Sequence, residues 1–292
     1  MSKTTSIKKI SYLMNYFDTF IIDLWGVIHD GKKSFPHALN CLEKIHQNKK
    51  NIILISNSSK KNINIISNLK KLGFNTNIFN KVLTSGQTVL NELKMPTQSW
   101  SRDLGKKYYH ITVKNKNNLL KGLNKKEVKK INEANFIVAS SIDPNIPVIE
   151  YTSLLQEALK LNLPLVCANP DYESVETNAN SKKQICAGSI LKLYESIGGK
   201  TFFLGKPSSF IYKEATKNIV NFKKSRTVAI GDSLSHDIYG AHNFGIKSVL
   251  ITSGIHNNFF KSKDSIKVLE NQISQMSEVI IFPDFICKKL YF

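Results

Sequence analysis

The clearest structural signal in this chain lies in residues 19–31, which read Thr19-Phe20-Ile21-Ile22-Asp23-Leu24-Trp25-Gly26-Val27-Ile28-His29-Asp30-Gly31. An unbroken apolar run leads into a carboxylate, Asp23, and then into a turn that contains glycines. A short apolar run bounded by turn residues is typical of a buried strand. Because ligands of open parallel sheets bind beyond the carboxyl ends of the strands, we interpret Asp23 as a candidate nucleophile. The alternative is an ordinary strand followed by an acidic turn.

A second apolar run with a polar end reads Asn51-Ile52-Ile53-Leu54-Ile55-Ser56-Asn57-Ser58-Ser59. Between the two runs, Pro36 and the apolar spacing behind it predict a helix over residues 36–46. Strands joined by such a crossover pair in parallel, so this polar end should lie at the same edge as Asp23. We expect Ser56, Asn57 and Ser58 to bind phosphate there with hydroxyl and N–H groups. The alternative is that these residues only cap the start of the next helix, a role for which serine and asparagine are equally suited.

Residues 86–185 show a separate alternation of helix and strand patterns. The predicted elements are a helix over 87–93, strands over 108–113 and 136–139, a helix over 148–161 and a strand over 163–168 that runs into Asn169-Pro170-Asp171. An insertion is tolerated where it leaves and re-enters at the surface, here near Ser85 and Gly188. We therefore predict a core of residues 1–85 and 186–292 and an inserted domain of residues 86–185.

Two further strand ends complete the predicted core. Residues 201–203 predict a short strand that leads to Lys206, which stands between a glycine and a proline. Residues 227–230 predict another strand that runs directly into Asp232 and Asp237. We interpret these two carboxylates as functional residues. The alternative, an acidic residue that caps the next helix, would explain Asp232 but not Asp237.

The remaining patterns complete the predicted fold. They are a short amphipathic helix within residues 1–17, strands over 248–252 and 279–283, and a helix over 265–276. The fold class is thus α/β, with a Rossmann-like doubly wound parallel sheet and an inserted α/β domain.

Composition argues against several classes of protein. The net charge of +19 comes almost entirely from lysine, since Arg102 and Arg226 are the only arginines. Scattered lysines lack the bidentate contacts that nucleic-acid recognition favours, so nucleic-acid binding is not expected. No apolar stretch reaches the ~18–20 residues of a membrane span, and no signal-peptide pattern is present. Four separated cysteines fit a reducing compartment, and we expect a cytoplasmic protein without a membrane partner.

Together the four strand ends supply what covalent handling of a phosphate monoester requires. Two like charges ~4 Å apart repel by roughly 4 kcal/mol at an effective dielectric of 20, so a carboxylate that attacks a phosphate needs compensating positive charge. Oxygen ligands select a hard cation such as Mg²⁺, and Asp23, Asp232 and Asp237 suit that role. Lys206 would add a second positive charge, while Ser56 would hold the transferring phosphoryl oxygens.

This order of motifs resembles the haloacid dehalogenase superfamily of phosphohydrolases. The insertion between the second and third motifs is similar to the class IIA branch, which includes NagD-type phosphatases. The resemblance implies a mobile cap, Mg²⁺ dependence, an aspartyl-phosphate on Asp23, and a small phosphorylated metabolite as substrate. It also implies metal binding by the Trp25 carbonyl, substrate or phosphate contacts from Trp25 and Gly26, a cap-end motif at Asn169 and Asp171, and a homodimer through the cap.

One position departs from the family pattern. The family has a second aspartate two residues after the nucleophile, where this chain has Trp25. That aspartate protonates the leaving group and then activates water, and such assistance contributes a factor of ~10² to 10⁴. An indole can do neither. Proton transfer could come from His29, from a residue of the inserted domain, or be unnecessary for the substrate.

Two functions are consistent with the sequence. The first is a Mg²⁺-dependent phosphatase that acts on a small phosphorylated metabolite through Asp23. The alternative is a catalytically weakened protein of the same fold that binds a phosphorylated ligand in a regulatory role. Trp25 is the residue that separates them.

Overall fold

The computed structural model describes residues 4–113, 118–177, 183–260, 273–274 and 281–292. The chain forms two compact units. The first comprises Met1–Ser56, Ile63–Leu83 and Lys206–Phe292, and the second comprises Asn57–Asn62 and Thr84–Gly205.

In the described part of the chain, the strands are β1 (Thr5–Ser6), β2 (Thr19–Asp23), β3 (Asn51–Ser56), β4 (Lys81–Thr84), β5 (Lys107–Ile111), β6 (Lys126–Val128), β7 (Phe136–Ala139), β8 (Leu165–Cys167), β9 (Glu173–Thr177), β10 (Lys183–Ile185), β11 (Thr201–Phe203), β12 (Thr227–Gly231), β13 (Lys247–Ile251) and β14 (Phe285–Cys287). The helices are α1 (Pro36–Gln47), α2 (Asn62–Lys71), α3 (Ser85–Lys94), α4 (Ser99–Arg102), α5 (Thr152–Lys160), α6 (Gly188–Ser196), α7 (Ser209–Thr216) and α8 (Tyr239–Phe244).

The sheet of the first unit has the strand order β1-β14-β13-β12-β2-β3-β4. The neighbours from β1 to β3 are all parallel. This order places β2 between β12 and β3, in the interior of the sheet. The predicted doubly wound parallel sheet is confirmed.

The apolar run of β2 is unbroken because both of its faces are buried. Phe20 and Ile22 pack with α1 in one core cluster. Ile21 points to the opposite face and packs with α7 and α8 in another. A strand covered by helices on both sides has no solvent-facing positions, so it needs no alternation of polar residues.

The sheet of the second unit has the order β11-β8-β7-β5-β6, and all four neighbouring pairs are parallel. β9 and β10 form a separate antiparallel pair. Helices α5 and α6 cover one face of the larger sheet with a core of their own. The second unit is therefore an α/β layer structure, as predicted for the insertion. The boundaries of the inserted domain, residues 86–185, remain a prediction from the sequence.

The expectation that residues 201–203 belong to the first sheet is wrong. β11 pairs with β8, so it forms the edge of the second sheet. Each of its residues is only half-buried, and a run this short carries no pattern that distinguishes one parallel sheet from another.

Two predictions near the chain ends also differ from the structure. Residues 281–283 are not in a strand, and the strand follows at β14, which pairs with β13 and with β1. Before β2 the chain forms β1 and a one-turn 3₁₀ helix over Ile10–Leu13 in place of the predicted short amphipathic α-helix. The apolar spacing there reflects burial of Ile10 and Leu13 in a single turn. Apart from residues 273–274, the helix predicted over 265–276 lies outside the described residues.

Among the described helices, none combines the length and the apolar character needed to cross a membrane.

Substitution of a buried residue in β3 should be costly. Leu54 is fully buried in β3, so Leu54→Ala should lower the free energy of unfolding by about 2–5 kcal/mol, measured by urea denaturation. As a control, Ile63→Ala on α2 should change it by less than about 0.5 kcal/mol, because that side chain is 67% exposed. Equal effects of the two changes would contradict the placement of β3 in the core.

Candidate active site

The carboxyl ends of β2, β3 and β12 bring the candidate residues of the first unit to one edge of its sheet. Ile22 pairs with Ile230, and Asp23 pairs with Ile55. Asp232 follows β12 directly, and Ser56 is the last residue of β3. Parallel strands in register end together, so residues far apart in sequence meet at this edge.

Three carboxylates form a compact buried cluster at this edge. Asp23, Asp232 and Asp237 each offer an oxygen within 4.8 Å of the others. Their exposed fractions are 6%, 4% and 3%. In the described part of the chain this is the one group of three or more potential metal ligands.

Lys206 joins two of these carboxylates. Its ammonium donates to Asp23 Oδ1 at 2.5 Å and to Asp237 Oδ1 at 2.7 Å. Lys206 is itself 3% exposed. A charged pair with good hydrogen-bond geometry compensates the burial of both charges. The lysine that the sequence identified by its position between a glycine and a proline therefore lies at the centre of the cluster.

Backbone groups hold the other carboxylate oxygens. Asp232 Oδ2 accepts the N–H of Ile255 at 2.7 Å, and Asp237 Oδ2 accepts the N–H of Ser233 at 3.1 Å. The fully buried Tyr212 hydroxyl donates to the backbone carbonyl of Asp237 at 3.2 Å. These contacts hold Asp232 and Asp237 in place.

Close backbone approach makes glycine necessary on both sides of Asp232. Gly26 has a φ of +74°, and a Cβ there would lie 1.9 Å from Asp232 Oδ2. A Cβ on Gly254 would lie 2.0 Å from the same oxygen. Only glycine fits such contacts, and the positive φ also favours it.

The cluster carries more negative than positive charge. Three buried carboxylates face one ammonium, and burial, reinforced by the charges of Asp23 and Asp237, raises the pKa of Asp232 well above its usual range. Buried charge of this kind is stable when it coordinates a metal. An all-oxygen donor set of carboxylates fits a hard divalent cation.

Trp25 and His29 form an aromatic pair beside Asp23. Trp25 is half-buried, and its ring meets the His29 ring edge-on with centroids 5.0 Å apart. His29 is 2% exposed, and its Nδ1 accepts the N–H of Gly31 at 3.0 Å. When one ring nitrogen of an imidazole accepts a hydrogen bond, the other ring nitrogen is the one that can donate.

The second unit brings together three of the remaining predicted residues. The Asn57 side-chain amide donates to Asp171 Oδ1 at 2.8 Å, and Asn169 Oδ1 accepts the N–H of Asp171 at 3.2 Å. The Ser58 hydroxyl accepts the N–H of Lys60 at 3.2 Å, which is a local turn contact. Asn57, Asn169 and Asp171 thus form a polar cluster, whereas Ser58 supports its own loop.

Tyr212, Gly254 and Ile255 take part in the site although the sequence did not identify them. Gly254 and Ile255 follow the end of β13, so another glycine at a strand end was the available signal. Tyr212 lies in the middle of α7, and its contact with Asp237 depends on packing between elements.

Neutralising Asp232 should change the response to metal. Asp232→Asn keeps an oxygen for the Ile255 N–H but removes one buried charge, so the metal-free variant should melt above wild type at pH 8. We expect a shift of roughly 2–4 °C for each kcal/mol gained.

The pKa of Asp232 is raised in the folded protein, so its charged carboxylate destabilises wild type at pH 8. This destabilisation disappears as the pH falls through that pKa. The difference in Tm should therefore shrink in acid. Added Mg²⁺ should raise the Tm of wild type more than that of Asp232→Asn, as differential scanning fluorimetry can measure. An equal rise in both proteins would contradict the assignment of Asp232 as a ligand.

Two family models match the parts of the chain that carry the site. The model described as haloacid dehalogenase-like hydrolase matches residues 20–127. The model described as HAD-hydrolase-like matches residues 203–270. These matches include Asp23 and Ser56 in the first segment and Lys206, Asp232 and Asp237 in the second.

Individual proteins show the same likeness. The chain is 25% identical over 271 residues to a 4-nitrophenylphosphatase of Schizosaccharomyces pombe, covering 87% of this chain and 89% of that protein. It is 29% identical over 90 residues to the ribonucleotide monophosphatase NagD of Escherichia coli K12, covering 31% and 34%. A haloacid dehalogenase-like hydrolase structure from Brucella suis superposes with a TM-score of 0.80 at 26% identity, covering 97% and 99%.

Proposed function

Because this chain belongs to the haloacid dehalogenase-like hydrolases, we propose that it hydrolyses a phosphate monoester of a small metabolite through a phosphorylated Asp23. The observation that carries the proposal is the buried contact of Lys206 with Asp23 and Asp237, since it places a fixed cation beside the candidate nucleophile. The phosphatase names of the relatives support the same reaction class.

In this proposal Asp23 attacks phosphorus with a carboxylate oxygen. The approach of two anions is costly in a buried site, and the Lys206 ammonium offsets part of that cost. Lys206 also orients the carboxylate, because its ammonium donates a hydrogen bond to Oδ1. Ser56, Gly26, Asn57 and Ser58 are our candidates for holding the phosphoryl oxygens.

Asp23, Asp232, Asp237 and the Trp25 carbonyl are the groups that would hold Mg²⁺. When bound, the cation would neutralise negative charge on the phosphoryl group. The excess of buried carboxylates over ammonium groups supports a cation at this position.

Substrate selection is assigned in this proposal to the second unit, with Asn169 and Asp171 as candidate residues. A homodimer through that unit stays a prediction of the family resemblance. The regulatory alternative, a phospho-ligand binder with weak turnover, is favoured by Trp25 alone.

Removal of the nucleophile tests the reaction. With Mg²⁺ and a panel of phosphorylated metabolites, wild type should release inorganic phosphate, and Asp23→Asn should reduce kcat to the background rate. Chelation of the metal should have the same effect on wild type. Release by wild type that persists in Asp23→Asn would contradict the nucleophile, whereas Mg²⁺ binding without any release would support the regulatory alternative.

Lys206 can be tested through product inhibition. Lys206→Met should lower kcat/KM at least about 100-fold, because two buried carboxylates lose their counter-charge, and it should weaken inhibition by inorganic phosphate. Lys247→Met is the matched control, since Lys247 is largely exposed and pairs with Asp284 at the sheet's far end. Unchanged phosphate inhibition in folded Lys206→Met, verified by circular dichroism, would show that another group binds the phosphate.

A further inference from the structure

One short segment of the chain contacts Asp237 at two points. Lys206, which lies just before α7, donates from its ammonium to the Asp237 carboxylate at 2.7 Å. Tyr212, six residues later in α7, donates from its hydroxyl to the backbone carbonyl of Asp237 at 3.2 Å. The first contact holds the side chain of the acid and the second holds its backbone. A continuous segment, residues 206–212, therefore fixes Asp237 relative to the lysine.

The turn that carries Asp237 is unusual. Residues Leu234–Ile238 form a single π-helical turn just before α8. The N–H groups of Asp237 and Ile238 both donate to the carbonyl of Ser233, at 2.9 and 3.1 Å. Such turns are rare and occur frequently at functional sites. A hydrogen bond from another helix, here α7, restrains this turn from outside.

Packing explains the ring of Tyr212 but not its hydroxyl. The side chain is fully buried in an apolar cluster, where the Phe244 ring stacks on it with centroids 5.5 Å apart. Phenylalanine would fill the same position without burying a polar group, which is costly unless that group is hydrogen-bonded. An added Cβ on Gly240 would lie 2.7 Å from the hydroxyl oxygen, so α8 lies directly against it. The hydroxyl is thus closely packed and donates to Asp237.

We propose that Tyr212 is a positioning residue of the active site, whose hydroxyl holds Asp237 in place to bind Mg²⁺. The same contact keeps Asp237 within hydrogen-bond distance of Lys206, and so affects how that ammonium is shared with Asp23. This role rests on the part of the proposed function that places Mg²⁺ at the carboxylate cluster. Replacement of a residue that orients a metal ligand from behind typically costs about 10- to 100-fold in metal affinity or activity.

The hydroxyl of Tyr212 can be removed without removing the ring. Tyr212→Phe in the full chain should keep the circular dichroism spectrum of wild type, because the stacking on Phe244 remains. We expect the dissociation constant for Mg²⁺, measured by isothermal titration calorimetry without substrate, to rise about 10-fold. At limiting Mg²⁺, kcat/KM for phosphate release should fall by a similar factor.

Thr216→Val is the matched control, because it removes another buried hydroxyl from the same helix. The Thr216 hydroxyl donates to the backbone carbonyl of Tyr212 at 2.9 Å, one helical turn further along α7. This variant loses a hydrogen bond from a hydroxyl to a backbone carbonyl, as Tyr212→Phe does, but it leaves the contact with Asp237 intact. The dissociation constant for Mg²⁺ should stay at the wild-type value.

A double-variant cycle tests whether Tyr212 acts through Asp237. In protein that carries Asp237→Ala, the carboxylate that the hydroxyl positions is gone. Addition of Tyr212→Phe to that protein should therefore leave the dissociation constant for Mg²⁺ unchanged. Groups that share one interaction give non-additive effects in such a cycle, whereas independent groups give additive ones.

The contrary outcomes separate the positioning role from the proposed function. Unchanged Mg²⁺ affinity in folded Tyr212→Phe, equal weakening by Thr216→Val, or additive effects in the cycle would each overturn the positioning role alone. A Tyr212→Phe protein that does not fold would also overturn it, because the hydroxyl would then serve the fold. The expected Mg²⁺ affinities in a protein that hydrolyses no phosphate ester would support the role and contradict the phosphatase function. Absence of Mg²⁺ binding by wild type would overturn both.

Discussion

The charge balance around Lys206 constrains the whole edge of the first sheet. One ammonium lies between Asp23 and Asp237, and Asp232 adds a third carboxylate to the same buried cluster. Buried like charges are costly unless they are paired or coordinate a cation. The strands must therefore hold these groups together against repulsion, and the excess negative charge is available for binding a metal.

The scaffold supplies that restraint through close backbone contacts. Gly26 and Gly254 allow the chain to approach Asp232 from two sides, and the Ile255 N–H holds its carboxylate. On the other side of the cluster, Tyr212 in α7 holds the carbonyl of Asp237. Such contacts lock the acids before any ligand arrives, which is what electrostatic preorganisation requires.

Much of this architecture could be predicted from local patterns. The strands β2, β3 and β12 could be predicted from their apolar runs, because strands buried on both faces need no alternation of polar residues. Each run ends in polar residues, and parallel strands end at one edge, so Asp23, Asp232 and Asp237 were expected to meet there. The structure confirms that meeting, because register between buried parallel strands leaves few alternatives.

Pairing between distant segments was decided only by the tertiary structure. β11 joins the second sheet, and β14 pairs with both β13 and β1. The sequences of these short strands do not indicate which strand each one pairs with. The same holds for Tyr212 and Gly254, whose contacts depend on packing between elements. Local sequence determines which residues form a strand and where it ends, since burial acts on each position. The choice of neighbour depends on the free energy of the whole assembled core, which no short segment contains.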